Sequence, residues 1–170
     1  MPHGTCFLKR RGGMKMKNVW YYDFPTGTMG IAQENDAITH IFFKGLGNFK
    51  GFEIKETQLI KRMAEEIEEY FAGKRRSFDI PLSMSGTDFQ RSVWKALQTI
   101  PFGETRSYKD IATQIGNPKA CRAVGMANNK NPVAIVVPCH RVIGQDGSMT
   151  GYAGGISVKE YLLDVERRNV

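Results

Sequence analysis

Pro138-Cys139-His140-Arg141 sets a nucleophile directly beside a base and a cation, an arrangement that occurs once in the chain. A free thiol titrates near pH 8.5, so only a few per cent is thiolate at neutral pH, and a nearby base or cation raises that fraction. His140 is the candidate base. Neighbouring side chains on an extended chain point to opposite sides, so His140 reaches the sulfur only through a turn or a bridging water. A lone cysteine behind Val136-Val137-Pro138 is otherwise an inert core residue, and the tetrapeptide gains meaning only from its surroundings. Cys6 and Cys121 have no such neighbours and read as non-catalytic. His3, His40 and Cys6 do not make a credible metal set.

The flanking sequence supplies the elements that would hold the tetrapeptide. Val133 to Val137 reads as a buried strand that ends at Cys139. Beyond it, Gly144, Gly147, Gly151, Gly154 and Gly155 punctuate a loop suited to unusual φ/ψ or to close approach of a ligand. Ser157 and Glu160 have capping-box spacing and predict a last helix with Val158, Tyr161, Leu162 and Val165 inward and Glu166 near its end. Upstream, Thr87 and Gln90 predict a capped helix with a stripe of Phe89, Val93, Trp94, Leu97 and Ile100, stopped by Pro101. Ser107 starts a short helix carrying Tyr108, Ile111, Ala112 and Ile115 and ending at Gly116. Asn117-Pro118 predicts an N-cap with proline at N1 for a helix that runs to about Asn128. Two short helices joined by Gly-Asn-Pro read as a helix-turn-helix. The second carries Ala120, Cys121, Ala123, Gly125 and Ala127, small side chains that permit close approach to a partner surface or to another helix in the core; the pattern leaves both open.

The first half has a different texture. Val19 to Phe24, Thr28 to Gln33 and Ala37 to Phe43 are β-prone runs, separated by the turn signals Pro25-Thr26-Gly27 and Glu34-Asn35-Asp36. Lys44 to Gly51 is a glycine-rich loop. Thr57 to Ala72 predicts a helix with Leu59, Ile60, Met63, Ile67, Tyr70 and Phe71 along one face and Gly73 at C′. Residues 74–86 read as a connector. The fold class expected is therefore α+β: an irregular tail over 1–16, with Met14 and Met16 as alternative starts, a small sheet plus helix over 17–84, and a mostly helical domain with a helix-turn-helix over 85–170.

Composition bounds the function. With 170 residues, 41% apolar and 24% charged, the chain is long enough to bury a core and is not a disordered segment. No apolar run approaches the roughly 20 residues of a membrane-spanning helix. The N-terminal cations have no apolar stretch behind them, so no secretory signal is expected. Three cysteines without framework spacing point to a reducing cytosol. Net charge is +7, and residues 104–141 hold six Lys/Arg against two Asp/Glu. Such a stripe can steer a polyanion such as nucleic acid, or it can be an ordinary solvated surface.

Taken in order, Gly-Asn-Pro-Lys-Ala-x-Arg-Ala-Val-Gly over 116–125, Asn131-Pro132, Pro138-Cys139-His140-Arg141-Val142 and Gly151-Tyr152-x-Gly154-Gly155, with a Lys-Glu helix behind, closely resemble the O6-alkylguanine-DNA alkyltransferase family over roughly Phe89 to Glu166. Residues 1–86 resemble it in layout only. The resemblance implies a ribonuclease H-like N-terminal domain and direct repair of DNA: irreversible, stoichiometric transfer of the alkyl group from O6-alkylguanine to Cys139, with O4-alkylthymine a further candidate substrate. In that scheme His140 would take the thiol proton through a water, Glu166 would hold the imidazole, and Asn131 would brace the turn. The carbonyls of Cys139 and Val142 would accept from the guanine 2-amino group, with Tyr152 and Ala153 beside the base. Tyr108 would donate its hydroxyl to the base and crowd the rotating phosphate. Arg122 would fill the stack vacated by a flipped nucleotide. The helix-turn-helix would enter the minor groove, with Cys121, Ala123 and Gly125 as close-approach positions. The implied partner is double-stranded DNA, met by a monomer in the cytoplasm that joins the nucleoid when bound. A thioether on Cys139 has no easy hydrolysis route, so the reaction would be single-turnover; no cofactor and no metal are called for, because the thiolate and an activated alkyl group complete the reaction.

The chain also departs from the family. The N-terminal zinc ligands of some members are missing, Ala153 stands where some have serine, and Ala134 where some have proline. Three other readings compete. A non-catalytic sensor of alkylated DNA would bind lesions without a mass change, but such relatives lack the acceptor cysteine. A transcriptional regulator would need major-groove readout, for which a helix of small residues is poorly equipped. A cysteine hydrolase would turn over an ester or peptide, and no oxyanion-hole signature is present.

Overall fold

The computed structural model describes residues 13–170, so most of the expected N-terminal tail, with His3 and Cys6, lies outside the described residues. β1 (Lys17–Phe24), β2 (Gly27–Glu34) and β3 (Ala37–Phe43) form an antiparallel meander. The pairs Phe24↔Gly27 and Glu34↔Ala37 close its hairpins over Pro25-Thr26 and Asn35-Asp36. Asn35 takes a φ of 50°, the left-handed value that a tight hairpin turn requires. A two-residue strand that the sequence did not signal, β4 (Glu53–Ile54), adds parallel to β1. α1 (Gln58–Phe71), capped by the Thr57 side chain, packs on the sheet through Ile60, Met63, Ile67 and Tyr70.

The free edge of β3 is covered, and this positions the site. The Ile38 amide donates to the Pro81 carbonyl, and the Ser83 amide to the Ile38 carbonyl, each at 2.9 Å. Further along, the Ile41 amide donates to the Pro132 carbonyl at 2.9 Å, and the Ala134 amide to the Ile41 carbonyl at 3.0 Å. An open strand edge would leave backbone groups unpaired. Here the connector and the loop before Cys139 supply the partners.

The second half contains α2 (Asp88–Leu97), β5 (Arg106–Ser107), α3 (Tyr108–Gln114), α4 (Cys121–Asn129), β6 (Val142–Ile143) and α5 (Ile156–Arg168). Capping boxes form at Thr87 with Gln90 and at Ser107 with Asp110. β5 and β6 pair in parallel, which brings the start of α3 beside the segment that follows Cys139. The Trp94 indole donates to the Ala127 carbonyl at 2.8 Å and ties α2 to α4. α4 buries Val124, Ala127 and Asn128 and turns Arg122, Ala123 and Met126 to solvent. A Cβ added at Gly125 would meet only the Tyr108 ring, at 3.8 Å, an ordinary contact. Of the small residues of α4, Ala127 packs in the core, whereas Ala123 is exposed and Gly125 meets only Tyr108.

Four sequence expectations need correction. Val133–Val137 is not a strand: Val133 makes one bridge to Ile41, and the Val136 and Val137 amides fold back to the Ala134 and Val133 carbonyls. A short apolar run shows burial, not conformation. α4 starts at Cys121, because residues 117–120 form a turn closed by the Ala120 amide on the Asn117 carbonyl; Asn117 caps nothing. The Ser157–Glu160 capping box is absent, since Gly155, at a φ of 93°, is the residue preceding α5 and makes no side-chain cap. Tyr161 is 40% exposed, and Lys159 and Leu163 are the buried residues instead.

Trp94→Phe should lower the unfolding free energy by about 0.5–1.5 kcal/mol, because the Ala127 carbonyl loses the indole and keeps only the Lys130 amide; chemical denaturation checks this.

Candidate active site

Cys139, His140 and Arg141 form a single 3₁₀ turn, closed by the Arg141 amide on the Pro138 carbonyl at 3.0 Å. All three side chains are buried, as is Glu166 on α5. The turn is what lets adjacent residues act together. Asn131 braces it from below: its amide nitrogen donates to the Val137 carbonyl at 2.7 Å, and its oxygen accepts from the Val133 amide at 3.0 Å.

Glu166 collects donors from four residues. Its Oε1 accepts from His140 Nε2 at 2.6 Å, from the Tyr70 hydroxyl at 2.8 Å and from Arg141 Nη2 at 3.0 Å. Its Oε2 accepts from Arg141 Nε at 2.9 Å and from the Gly103 amide at 3.0 Å. Burial alone would raise this carboxyl. The hydrogen bonds from His140 and Arg141 and their charges overcome that and bring its pKa down to about 2. Arg141 also donates to the Ile100 carbonyl at 2.7 Å. Because the carboxylate can only accept, the proton on His140 sits on Nε2. Burial lowers the pKa of His140, against the pull of Glu166, so the ring is neutral at rest. Its Nδ1 is buried with no protein partner.

Burial likewise pushes the Cys139 thiol up, although Asn131, Lys159 and Tyr152 oppose it. The resting sulfur is therefore a protonated thiol, and the imidazole of the next residue is neutral with one bare nitrogen. A cavity of about 420 Å³ reaches Cys139 and is also lined by Tyr152, Ala153, Ala134 and Asn131. Ala153 is exposed, and the Tyr152 hydroxyl is buried near the Cys139 thiol, with no nitrogen or oxygen partner. The Cys139 carbonyl already accepts from the Val142 amide and from Asn128 Nδ2, the latter at 3.2 Å. Both of its lone pairs are thus engaged, and an incoming amino group reaches it only by displacing the Asn128 amide. Val142 is buried in β6, two residues beyond His140.

Tyr108, Arg122, Cys121 and Gly125 lie elsewhere, around a second, open groove of about 580 Å³ that also takes in Met126, Thr150 and Gly151. Arg122 and Ala123 are exposed, and Cys121 and Gly125 half-buried. The Tyr108 hydroxyl donates to the Thr150 carbonyl at 3.2 Å. Asn129 lines both cavities, so groove and cysteine pocket adjoin there.

Sequence reasoning missed Tyr70, Lys159 and Asn128, and read Arg141 as a cation beside the thiol rather than as the partner of Glu166. Tyr70 looked like one more residue of an apolar stripe. Lys159 is buried, donates to the Thr150 carbonyl at 3.0 Å and stands over the Tyr108 ring. A signal was present: Lys159, Leu162, Leu163 and Glu166 have helical i, i+3, i+4, i+7 spacing, a buried stripe with a charge at each end. Among the described residues, no group of three or more His, Cys, Asp or Glu side chains is placed to hold a metal.

Two family models match the chain: the 6-O-methylguanine DNA methyltransferase ribonuclease-like domain over residues 19–84, and the DNA binding domain of the same family over residues 88–168. A methylated-DNA–protein-cysteine methyltransferase of Methanosarcina barkeri is 49% identical over 156 residues, covering 88% of this chain and 99% of its own. The constitutive methylated-DNA–protein-cysteine methyltransferase of Bacillus subtilis is 47% identical over 150 residues, covering 84% and 91%. A crystal structure of Mycobacterium tuberculosis OGT in complex with DNA superposes with a TM-score of 0.85 at 44% identity, covering 89% of this chain and 94% of that one.

Glu166→Gln should destabilise the protein by about 3–5 kcal/mol at neutral pH, because Arg141 is left buried without its counter-charge. In the unsubstituted protein the carboxylate's contribution is complete above the ordinary carboxyl pKa of 4.5 and is lost as pH falls toward about 2. Denaturation curves across that range should therefore converge for the two proteins at the acid end.

Proposed function

This chain belongs to the 6-O-methylguanine DNA methyltransferase family, and we propose that Cys139 is the residue through which it acts. It repairs alkylated DNA directly, by moving the alkyl group onto one of its own cysteines, and it binds DNA. The observation that carries the choice of Cys139 is the imidazole of the next residue in the same turn. His140 is locked by Nε2 on Glu166, and its Nδ1 is left bare in the turn that holds the thiol. Cys121, the other cysteine among the described residues, is half-buried on α4 and hydrogen-bonds only to the Pro118 carbonyl.

In this reading Nδ1 takes the thiol proton, through a bridging water. The sulfur attacks the alkyl carbon, a C–S bond forms, and the C–O6 bond breaks with its electron pair passing into the base. The proton ends on guanine N1, so the base leaves as neutral guanine. Glu166 stabilises the transient imidazolium and fixes its orientation, as a carboxylate does for histidine in a catalytic triad. Asn131 keeps the turn in shape, and Tyr152, Ala153 and the Val142 carbonyl meet the base. Tyr108 donates to the base after leaving the Thr150 carbonyl. Nothing cleaves the thioether, so each chain reacts once.

The duplex is held on the open groove of α4. Cys121, Ala123 and Gly125 allow close approach to a minor groove, and Arg122 stands exposed at its edge to occupy the stack when the nucleotide swings toward Asn129 and the cysteine pocket. O4-alkylthymine is a second candidate base. One chain supplies every group, so a monomer suffices, and the reaction belongs in the cytoplasm, where thiols stay reduced. No helix among the described residues is long and apolar enough to cross a membrane.

Intact mass and peptide mapping after mixing with a duplex that carries one O6-methylguanine test the reading. One methyl on Cys139, without further turnover, is expected, and none in Cys139→Ser. Lesion binding with no mass change would replace this reading with a non-catalytic sensor. Arg122→Ala should slow transfer from the duplex more than transfer from the free nucleobase, measured by the same mass assay.

A further inference from the structure

Among the described residues, Tyr70 is the one donor to Glu166 that comes from the first half of the chain; the others are His140, Arg141 and the Gly103 amide. It stands on α1 and is fully buried. Phe71, Phe78 and Phe102 hold its ring, with centroids 5.5, 6.0 and 6.1 Å away. Its hydroxyl lies 2.8 Å from Glu166 Oε1 and 3.4 Å from His140 Nε2. Oε1 also accepts from His140 Nε2 at 2.6 Å and from Arg141 Nη2 at 3.0 Å. A carboxylate oxygen offers two lone pairs, so three donors compete for its charge. Each further donor stabilises the anion and weakens its hold on the others. Burial first, and then the charge and hydrogen bond of Glu166, push the Tyr70 phenol far above its ordinary range. The hydroxyl therefore keeps its proton and remains a donor at every working pH.

His140 is faced by Cys139 and Arg141 from its own turn, by Glu166 and Lys159 from α5 and by Tyr70 from α1. Arg141 and Lys159 oppose a charge on the ring, and Glu166 favours it. Whatever draws charge from Oε1 therefore weakens the pull toward imidazolium. We propose that Tyr70 is a positioning residue for the transfer reaction: by sharing Glu166 Oε1 with His140 it limits how strongly the carboxylate draws a proton onto the ring, which leaves Nδ1 open for the proton of the thiol. The inference rests on Cys139 being the acceptor and His140 its base. Tyr70 lines neither the cysteine pocket nor the groove of α4, so it acts through Glu166 and not on the substrate.

The test compares the unsubstituted protein, Tyr70→Phe, and protein with 3-fluorotyrosine at position 70, whose more acidic phenol is the stronger donor. One readout is the ring N–H signal of His140 in protein with isotope-labelled histidine, assigned by its absence from His140→Asn. The other is the single-turnover rate of methyl transfer from an O6-methylguanine duplex, across the pH range in which histidine titrates. In Tyr70→Phe the bond from His140 to Glu166 should strengthen. The ring proton then moves to lower field, and the acid limb of the rate moves up by roughly half to one pH unit. Fluorotyrosine should move both the other way, and it decides alone if Tyr70→Phe does not fold. Loss of packing by itself would lower the rate equally at every pH and leave the ring signal in place. A ring signal or an acid limb that stays put, or moves in the opposite sense, overturns the role of Tyr70 and leaves the reaction intact. No methyl on Cys139 of the unsubstituted protein overturns the reading beneath it.

Discussion

A single buried carboxylate organises this molecule. Glu166 is fully enclosed, and an unpaired charge there would cost many kcal/mol. It is tolerated because Arg141 neutralises it through two nitrogens and because His140, Tyr70 and the Gly103 amide complete its coordination. Those donors come from α1, from the turn after α2 and from the nucleophile's own turn. Removing any one of them exposes the others to the cost of burial. The charge thus converts four separate pieces of chain into one arrangement, and the imidazole tautomer is a by-product of that arrangement.

This bears on why the thiol can be reactive yet quiet. An acceptor cysteine that reacts once and irreversibly gains nothing from a standing thiolate, which would be consumed by any electrophile. Burial raises the Cys139 thiol and keeps it protonated. Arg141 already satisfies the charge of Glu166, so His140 has no need to be protonated, and burial keeps it neutral. In the proposed reaction the proton moves only when an alkyl carbon is in place to receive the sulfur. Reactivity is then conditional on substrate, as the chemistry requires.

Sequence reading succeeded where a local rule decides the structure. Thr87 with Gln90 and Ser107 with Asp110 cap their helices because the interaction spans three residues and needs nothing distant. The hairpins followed from turn chemistry at Pro25-Thr26 and Asn35-Asp36. It failed where a side chain or a backbone angle outside the recognised motif decides. Val133–Val137 has the apolar content of a strand, but Asn131 captures the Val133 amide and the Val137 carbonyl and bends it. Ser157 has the right neighbour for a cap, yet the positive φ of Gly155 puts Ser157 inside the helix. The site shows the same division. Cys139, His140, Asn131 and Glu166 were legible through their motif. Tyr70, 96 residues before Glu166, was indistinguishable from core, and Lys159 drew no role of its own.

The N-terminal sheet is more than a support for the helical half. Its edge strand β3 would be a liability if left open, and the segment that closes it is the loop leading to Cys139. Backbone pairing at Ile41 therefore sets how deep Cys139 sits, and the same strand continues into the aromatic residues beside the pocket. From the other side, Asn128 on α4 donates to the Cys139 carbonyl, and Trp94 holds α4 through Ala127. The nucleophile's turn is clamped between a sheet edge and the exposed helix of the groove. A shift of that helix cannot occur without straining the hydrogen bond to Cys139. The geometry of Cys139 is for that reason a property of both halves of the chain, although every side chain proposed to react belongs to one of them.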